Sequence, residues 1–224
     1  MFIGLAEFFE SKEGYSYGYP LAREADIKAN LLSSTNKWPS NFSPSDKERL
    51  DSLFLSKSLI AERLLEAVFS IFDKSTSTHS FSKDGRTISL MRLFHYSPIN
   101  NVSESMETDS CNGSSSTSSD RERIRNRTLG SSPHTDWGLL TVITDNSVAG
   151  LQFLHNDIWV DVILPKVTGA AVFVVNAGDY LELLTDHYYH SPVHRVLSPT
   201  IAEGTVVSVF LPSDIPSHRR VNAC

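Results

Sequence analysis

From residue 139 to residue 211 the chain is a succession of short segments rich in β-branched and aromatic residues: 139–144, 150–155, 158–164, 170–176, 193–197 and 205–211. Asp145-Asn146, Asn156-Asp157, Gly169 and Gly178-Asp179 punctuate them, all residue types that turn a chain readily. Segments so short and so closely spaced bury little alone, so they must pair as antiparallel strands and stack face to face. The pattern predicts a sandwich or jelly roll, and the fold class is mainly β with supporting helices. The helical signal in this half runs from Asp179, a capping residue type, through Leu184.

The N-terminal half reads differently. Residues 1–44 are irregular, with Gly, Tyr, Asn and Pro scattered through them. Ser45 and Glu48, just after Pro44, give the S-x-x-E capping pattern. Leu50, Leu53, Phe54, Ile60, Ala61, Leu64, Leu65, Val68 and Phe72 follow at helical spacing, so one apolar stripe is expected on a long helix ending near Asp73. Residues 87–96 alternate as a strand. Residues 100–132 are dominated by Ser, Thr, Asn and Gly and end on the charged run from Arg121 to Arg127. They lack the apolar residues to order themselves and read as a solvated insertion. The chain divides accordingly into an N-terminal helical and irregular region, 1–85, and a β domain, 86–215, carrying that insertion.

A net charge of -6 and a pI near 5.7 offer no basic face for nucleic acid. Two cysteines, Cys111 and Cys224, make neither a disulfide framework nor a zinc site, which points to a reducing compartment. No apolar run reaches the length of a membrane span, and residues 1–6 lack the basic residues of a signal peptide. A cytoplasmic location is expected. The sequence leaves the oligomeric state open.

Chemistry concentrates at His134-Thr135-Asp136. Residues i and i+2 of a strand share a face, so on a strand the imidazole and carboxylate would converge. His194, opening His194-Arg195-Val196-Leu197, is the candidate third ligand. Two histidines and a carboxylate with positions left open suit non-haem Fe(II), and no thiolate is at hand to favour zinc.

The segment from His134 onward resembles the 2-oxoglutarate and Fe(II)-dependent dioxygenases of the isopenicillin N synthase-like group. His134-Thr135-Asp136-Trp137-Gly138-Leu139-Leu140-Thr141 is similar to that family's H-T-D-x-G-x-L-T block. Gly150-Leu151-Gln152-Phe153, Trp159-Val160-Asp161-Val162, Val175-Asn176-Ala177-Gly178-Asp179 and Tyr189-His190-Ser191-Pro192-Val193-His194-Arg195-Val196 match further blocks in order. Upstream, residues 91–98 resemble the strand that ends in Y-P-P, and Lys12-Glu13-Gly14-Tyr15 and Asn36-Lys37-Trp38-Pro39 resemble the preceding region.

The resemblance implies a double-stranded β-helix holding Fe(II) on His134, Asp136 and His194. It implies 2-oxoglutarate as cosubstrate, with O2 oxidising a small organic substrate and giving succinate and CO2. It places Tyr96 and Ser208 as cosubstrate-binding residues. Trp137 would line the pocket or pack in the core. Asn176 and Asp179 read as turn and cap residues, and Arg195 as a local pairing or capping residue.

Two features depart from the family. Its members carry a longer region before the K-E-G-Y segment, so region 1–85 reads as shortened, with outer barrel strands missing. The family also grips the distal carboxylate of 2-oxoglutarate with an R-x-S motif on the last strand. With Ser208 as the motif serine, Val206 stands in place of Arg; with the strand slipped by two, Gly204 does. Arg92, four residues before Tyr96 and so on its strand face, and Lys166 are the candidate substitute cations. The alternatives are an oxidase of the same fold that needs no 2-oxoglutarate, and a catalytically degenerate metal-binding or interaction protein.

Overall fold

The computed structural model describes residues 9–10, 12–20, 35–71, 88–97, 128–144, 150–165, 167–199 and 205–213. Cys111, Lys166, Gly204, Cys224 and the body of the expected insertion lie outside them. The strands are β1 (Phe9–Glu10), β2 (Lys12–Gly18), β3 (Ile88–Tyr96), β4 (Thr128–His134), β5 (Leu140–Thr144), β6 (Leu151–His155), β7 (Ile158–Asp161), β8 (Val174–Ala177), β9 (His194–Leu197) and β10 (Thr205–Ser213). The helices are α1 (Pro44–Ser70) and α2 (Asp179–Leu184).

The strands form two five-stranded sheets, β1-β4-β9-β6-β7 and β2-β3-β10-β5-β8. All pairings are antiparallel except β1 with β4. The two sheets make the double-stranded β-helix expected from the strand pattern. Asn156 and Asp157, both at positive φ, turn β6 into β7 in the two-residue hairpin for which Asn and Asp are suited.

Helix α1 covers the outer face of the second sheet. Its Phe54 and Ala61 pack with Tyr17 of β2, Met91 of β3 and Val142 of β5, all buried. Side chains alternate along a strand, so Arg92, Phe94 and Tyr96 of β3 and Thr141 and Ile143 of β5 take the opposite, inward face. Farther along α1, Leu65 and Phe69 pack with Leu139, Leu140 and Leu181 of α2. This second cluster fixes the short helix against the loop that follows β4.

Several boundaries differ from the sequence expectation. The N-cap of α1 is Ser43, not Ser45: Ser43 and Asp46 make the capping box, with Pro44 inside the first turn. Proline lacks the N–H that the first helical position does not use, so the cap falls on the residue before it. The helix ends at Ser70, capped by Ile71. Residues 128–132, read as the end of the insertion, are the body of β4. Their small polar composition answers a crowded seam. A Cβ at Gly130 would lie 2.6 Å from the Tyr96 ring, and Ser131 is buried with its hydroxyl 3.0 Å from Lys12 Nζ.

Candidate metal centre

His134 ends β4 and His194 opens β9, and the two are direct cross-strand partners. Their ring centroids are 4.3 Å apart. His134 Nδ1 lies 2.7 Å from Ser132 O, and His194 Nδ1 lies 3.2 Å from Pro192 O. A carbonyl only accepts, so each Nδ1 carries the proton and each Nε2 presents a lone pair. Both Nε2 atoms face Asp136, at 4.0 Å for His134 and 3.7 Å for His194. Burial, the largest influence, lowers the pKa of His194, and its ring is neutral at neutral pH.

Asp136 reaches this point by a route other than strand alternation. Strand β4 stops at His134, and Asp136 lies in the loop beyond it. Asp179 N donates to its carbonyl at 2.7 Å. Thr141 Oγ1 and Asn176 Nδ2 donate to its Oδ2 at 2.6 and 2.9 Å. The loop can sit there because residue 178 is glycine: a Cβ at Gly178 would be 2.2 Å from Gly138 O and 2.9 Å from Asp136 O. Gly178 is also the N-cap of α2, a place the sequence reading gave to Asp179. Asp179 instead accepts a hydrogen bond from Thr135 Oγ1 at 3.2 Å. Asn176, read as a turn residue, is a buried strand residue holding the metal-facing carboxylate. Neither its role nor that of Thr141 was legible from residue type; their positions in the repeated blocks were the available signal.

The approach to His194 is fixed from α2. The Glu182 carboxylate accepts from Ser191 N at 2.6 Å and lies 2.9 Å from His187 Nδ1. These contacts, the His187 one first, hold its pKa down at about 2. Phe153 of β6 lies beside His194, with ring centroids 5.4 Å apart. Trp137 is 44% exposed and so does not pack in the core.

The ligand atoms of His134, Asp136 and His194 all lie within 4.8 Å of one another. Two imidazoles and one carboxylate, the latter held by a hydroxyl and an amide, fit Fe(II): the donors are of the right hardness and are oriented by hydrogen-bond partners behind them.

The residues expected to bind the cosubstrate are placed less uniformly. Tyr96 is buried, faces inward and packs its ring on Gly130. Arg92 also faces inward, exposed, with its guanidinium 5.5 Å from the Phe94 ring centre. Ser208 pairs with Leu93 and Thr144, Val206 with His95, and Thr205 with Tyr96; Gly204 lies outside the described residues. Arg195 pairs across strands rather than locally: Nε donates to Gln152 Oε1 at 2.8 Å, and the guanidinium lies 4.1 Å from the Trp159 ring centre.

Comparison with known proteins gives a consistent frame. The model of the 2OG-Fe(II) oxygenase superfamily matches residues 87–212. Among curated relatives, 1-aminocyclopropane-1-carboxylate oxidase homolog 11 of Arabidopsis thaliana is 43% identical over 94 residues, covering 42% of this chain and 25% of its own. Homolog 10 of the same plant is 49% identical over 94 residues, with the same coverage. The chain thus spans about a quarter of the length of these relatives. Among solved structures, a full-length Neurospora crassa protein in complex with alpha-KG and 5-formyluracil superposes with a TM-score of 0.67 at 20% identity, covering 94% of this chain and 59% of that one. JOX2 in complex with 2OG, Fe and JA gives 0.64 at 23% identity, covering 91% and 50%.

Proposed function

The chain belongs to the 2OG-Fe(II) oxygenase superfamily, and from that premise we propose that it oxidises a small organic molecule with O2 and 2-oxoglutarate, giving succinate and CO2. The observation that carries the reading is the convergence of His134, Asp136 and His194 at one end of the paired sheets, with Asp136 pre-oriented from behind. Bound Fe(II) supplies the site for O2 activation and for chelation by a 2-oxo acid.

The chain's own residues supply the rest. His134 and His194 each use Nδ1 on a backbone carbonyl and so turn Nε2 toward Asp136. Thr141 and Asn176 hold Asp136 through Oδ2, which fixes the direction of Oδ1. Phe153, with Val160 opposite it on β7, gives the entrance an apolar wall. An apolar wall favours an organic substrate and keeps bulk water from the reacting atoms. Tyr96 lies on the inward face at the depth of Gly130, where a cosubstrate extending inward from the metal would end.

One observation favours a second reading, an oxidase of the same fold that takes its electrons from the substrate. Strand β10, Thr205–Ser213, contains no Lys or Arg to grip a second carboxylate. Anaerobic Fe(II) titration with and without 2-oxoglutarate separates the two. The proposed function predicts a visible charge-transfer absorption when 2-oxoglutarate joins the Fe(II) protein. Fe(II) binding with no such band discards the 2-oxoglutarate reading and leaves the oxidase or a degenerate metal-binding protein, and no Fe(II) binding leaves a degenerate interaction protein. The cytoplasmic location we propose rests on the two cysteines, which suit a reducing compartment; no helix among the described residues is long and apolar enough to cross a membrane.

A further inference from the structure

Among the described strand residues, the lysines and arginines on the inward faces of the two sheets are Lys12 and Arg92. Lys12 is the register partner of Tyr96, and Arg92 that of Ser16, with Gly14 opposite Phe94 between them. Because residue 14 has no side chain, the Phe94 ring lies over it, with Cε1 3.0 Å from where a Cβ would be. The two cations flank that ring, Lys12 Nζ 5.3 Å and Arg92 5.5 Å from its centre.

Lys12 is the better fixed of the two. Its Nζ donates to Ser131 Oγ at 3.0 Å and pairs with Glu10 Oε2 at 2.9 Å, and its side chain is 23% exposed. Glu10 is itself held, by Ser132 N at 2.7 Å. An ammonium has three donors, so these two contacts aim the group and leave a third donor for another acceptor. With Arg92 nearby, the face carries two positive charges against one negative, an excess that suits a single carboxylate.

The depth is also suitable. Ser131 precedes the ligand His134 by three residues across a bulge, and their partners Val196 and His194 are two residues apart, so the two lie about 7 Å apart along the sheet. That is comparable to a five-carbon diacid with a metal bond at one end and a hydrogen bond at the other. The row of Lys12 contains Tyr96, whose side chain carries a hydroxyl.

We propose that Lys12, entering from the edge strand β2, is the cation that binds the distal carboxylate of the 2-oxo acid, in place of an arginine on the last strand. This rests on the proposed 2-oxoglutarate chemistry and names the residue that makes it selective for a dicarboxylate. A plainer role for Lys12 is to tie β2 to β4 across the seam, and the test separates the two.

The full chain loaded anaerobically with Fe(II) is titrated with 2-oxoglutarate and with 2-oxobutyrate, which chelates identically but lacks the distal carboxylate. The wild type is expected to prefer 2-oxoglutarate roughly tenfold to a hundredfold. Lys12→Met should abolish that preference while leaving Fe(II) and 2-oxobutyrate binding intact, and Lys12→Arg should restore it in part. Lys12→Gln, which keeps a donor and loses the charge, should behave as Lys12→Met and carries the test should Lys12→Met fail to fold. A seam role alone would weaken both oxo acids equally, and that result overturns the proposal. So does equal wild-type affinity for the two acids, or a preference that survives Lys12→Met and is lost in Arg92→Met. Fe(II) binding without affinity for either acid would instead overturn the proposed function itself.

Discussion

Removing the amide behind Asp136 tests how the metal site is held. Asn176 is buried, its Nδ2 is 2.9 Å from Asp136 Oδ2, and Thr141 Oγ1 shares the same oxygen at 2.6 Å. A hydrogen bond to a charged group contributes about 1.5–3 kcal/mol. At about 1.4 kcal/mol per factor of ten, losing one corresponds to roughly ten- to a hundredfold in Fe(II) affinity, the range found for partners that orient metal ligands. Asn176→Ala should fall near the lower end, because Thr141 still holds Oδ2. Thr141→Val should act alike. The double variant should lose more than either single one but less than their product, since both bonds end on one atom. The assay is anaerobic competition for Fe(II) against a chelator of known affinity, with thermal unfolding of the metal-free proteins as a control. Wild-type affinity in the double variant would refute the claim that these bonds orient the ligand. So would a loss accompanied by an equal fall in metal-free stability, which would mark them as packing alone.

Gly178→Ala should destabilise the metal-free fold by about 1–3 kcal/mol and weaken Fe(II) binding, because the new Cβ collides with the backbone of Gly138 and Asp136 rather than with a mobile side chain. Chemical denaturation and the same Fe(II) competition would read both effects, and an unchanged protein would contradict the close approach described. Lys57, buried in α1 with Nζ 3.3 Å from Val142 O, has its pKa lowered by burial to about 7, against 10.5 for the unfolded chain. Between those values the unfolded state binds the extra proton, so stability should rise with pH. From pH 7 to pH 9 a gain of about 2 kcal/mol is expected, and Lys57→Met should remove that dependence. The same pH slope in both proteins would show that another group is responsible.

How much was legible in the sequence follows from how local each determinant is. Strand existence was legible because β-branched runs and turn residues act over a few positions. The three candidate ligands were legible as residue types in matching blocks. What placed Asp136 was not, because it depends on the missing side chain of Gly178 meeting a backbone 40 residues away in the chain. Lys12 was not, because its contact with Ser131 spans 119 residues. The start of β4 was hidden by its own fitness: the seam under Tyr96 accepts Gly130 and Ser131, residues that in sequence read as loop. Which face Ser208 shares depends on pairing register, and a shift of one residue exchanges the two faces.

The central claim is that His134, Asp136 and His194 together hold one Fe(II). Anaerobic Fe(II) titration of the wild type and of His134→Ala, Asp136→Ala and His194→Ala tests it most directly. The expected result is one equivalent bound by the wild type, and affinity at least about a hundredfold weaker in each variant, since each removes one of three protein ligands. Metal-free proteins that unfold like the wild type would confirm that only the site was lost. Wild-type affinity in all three variants would contradict the account.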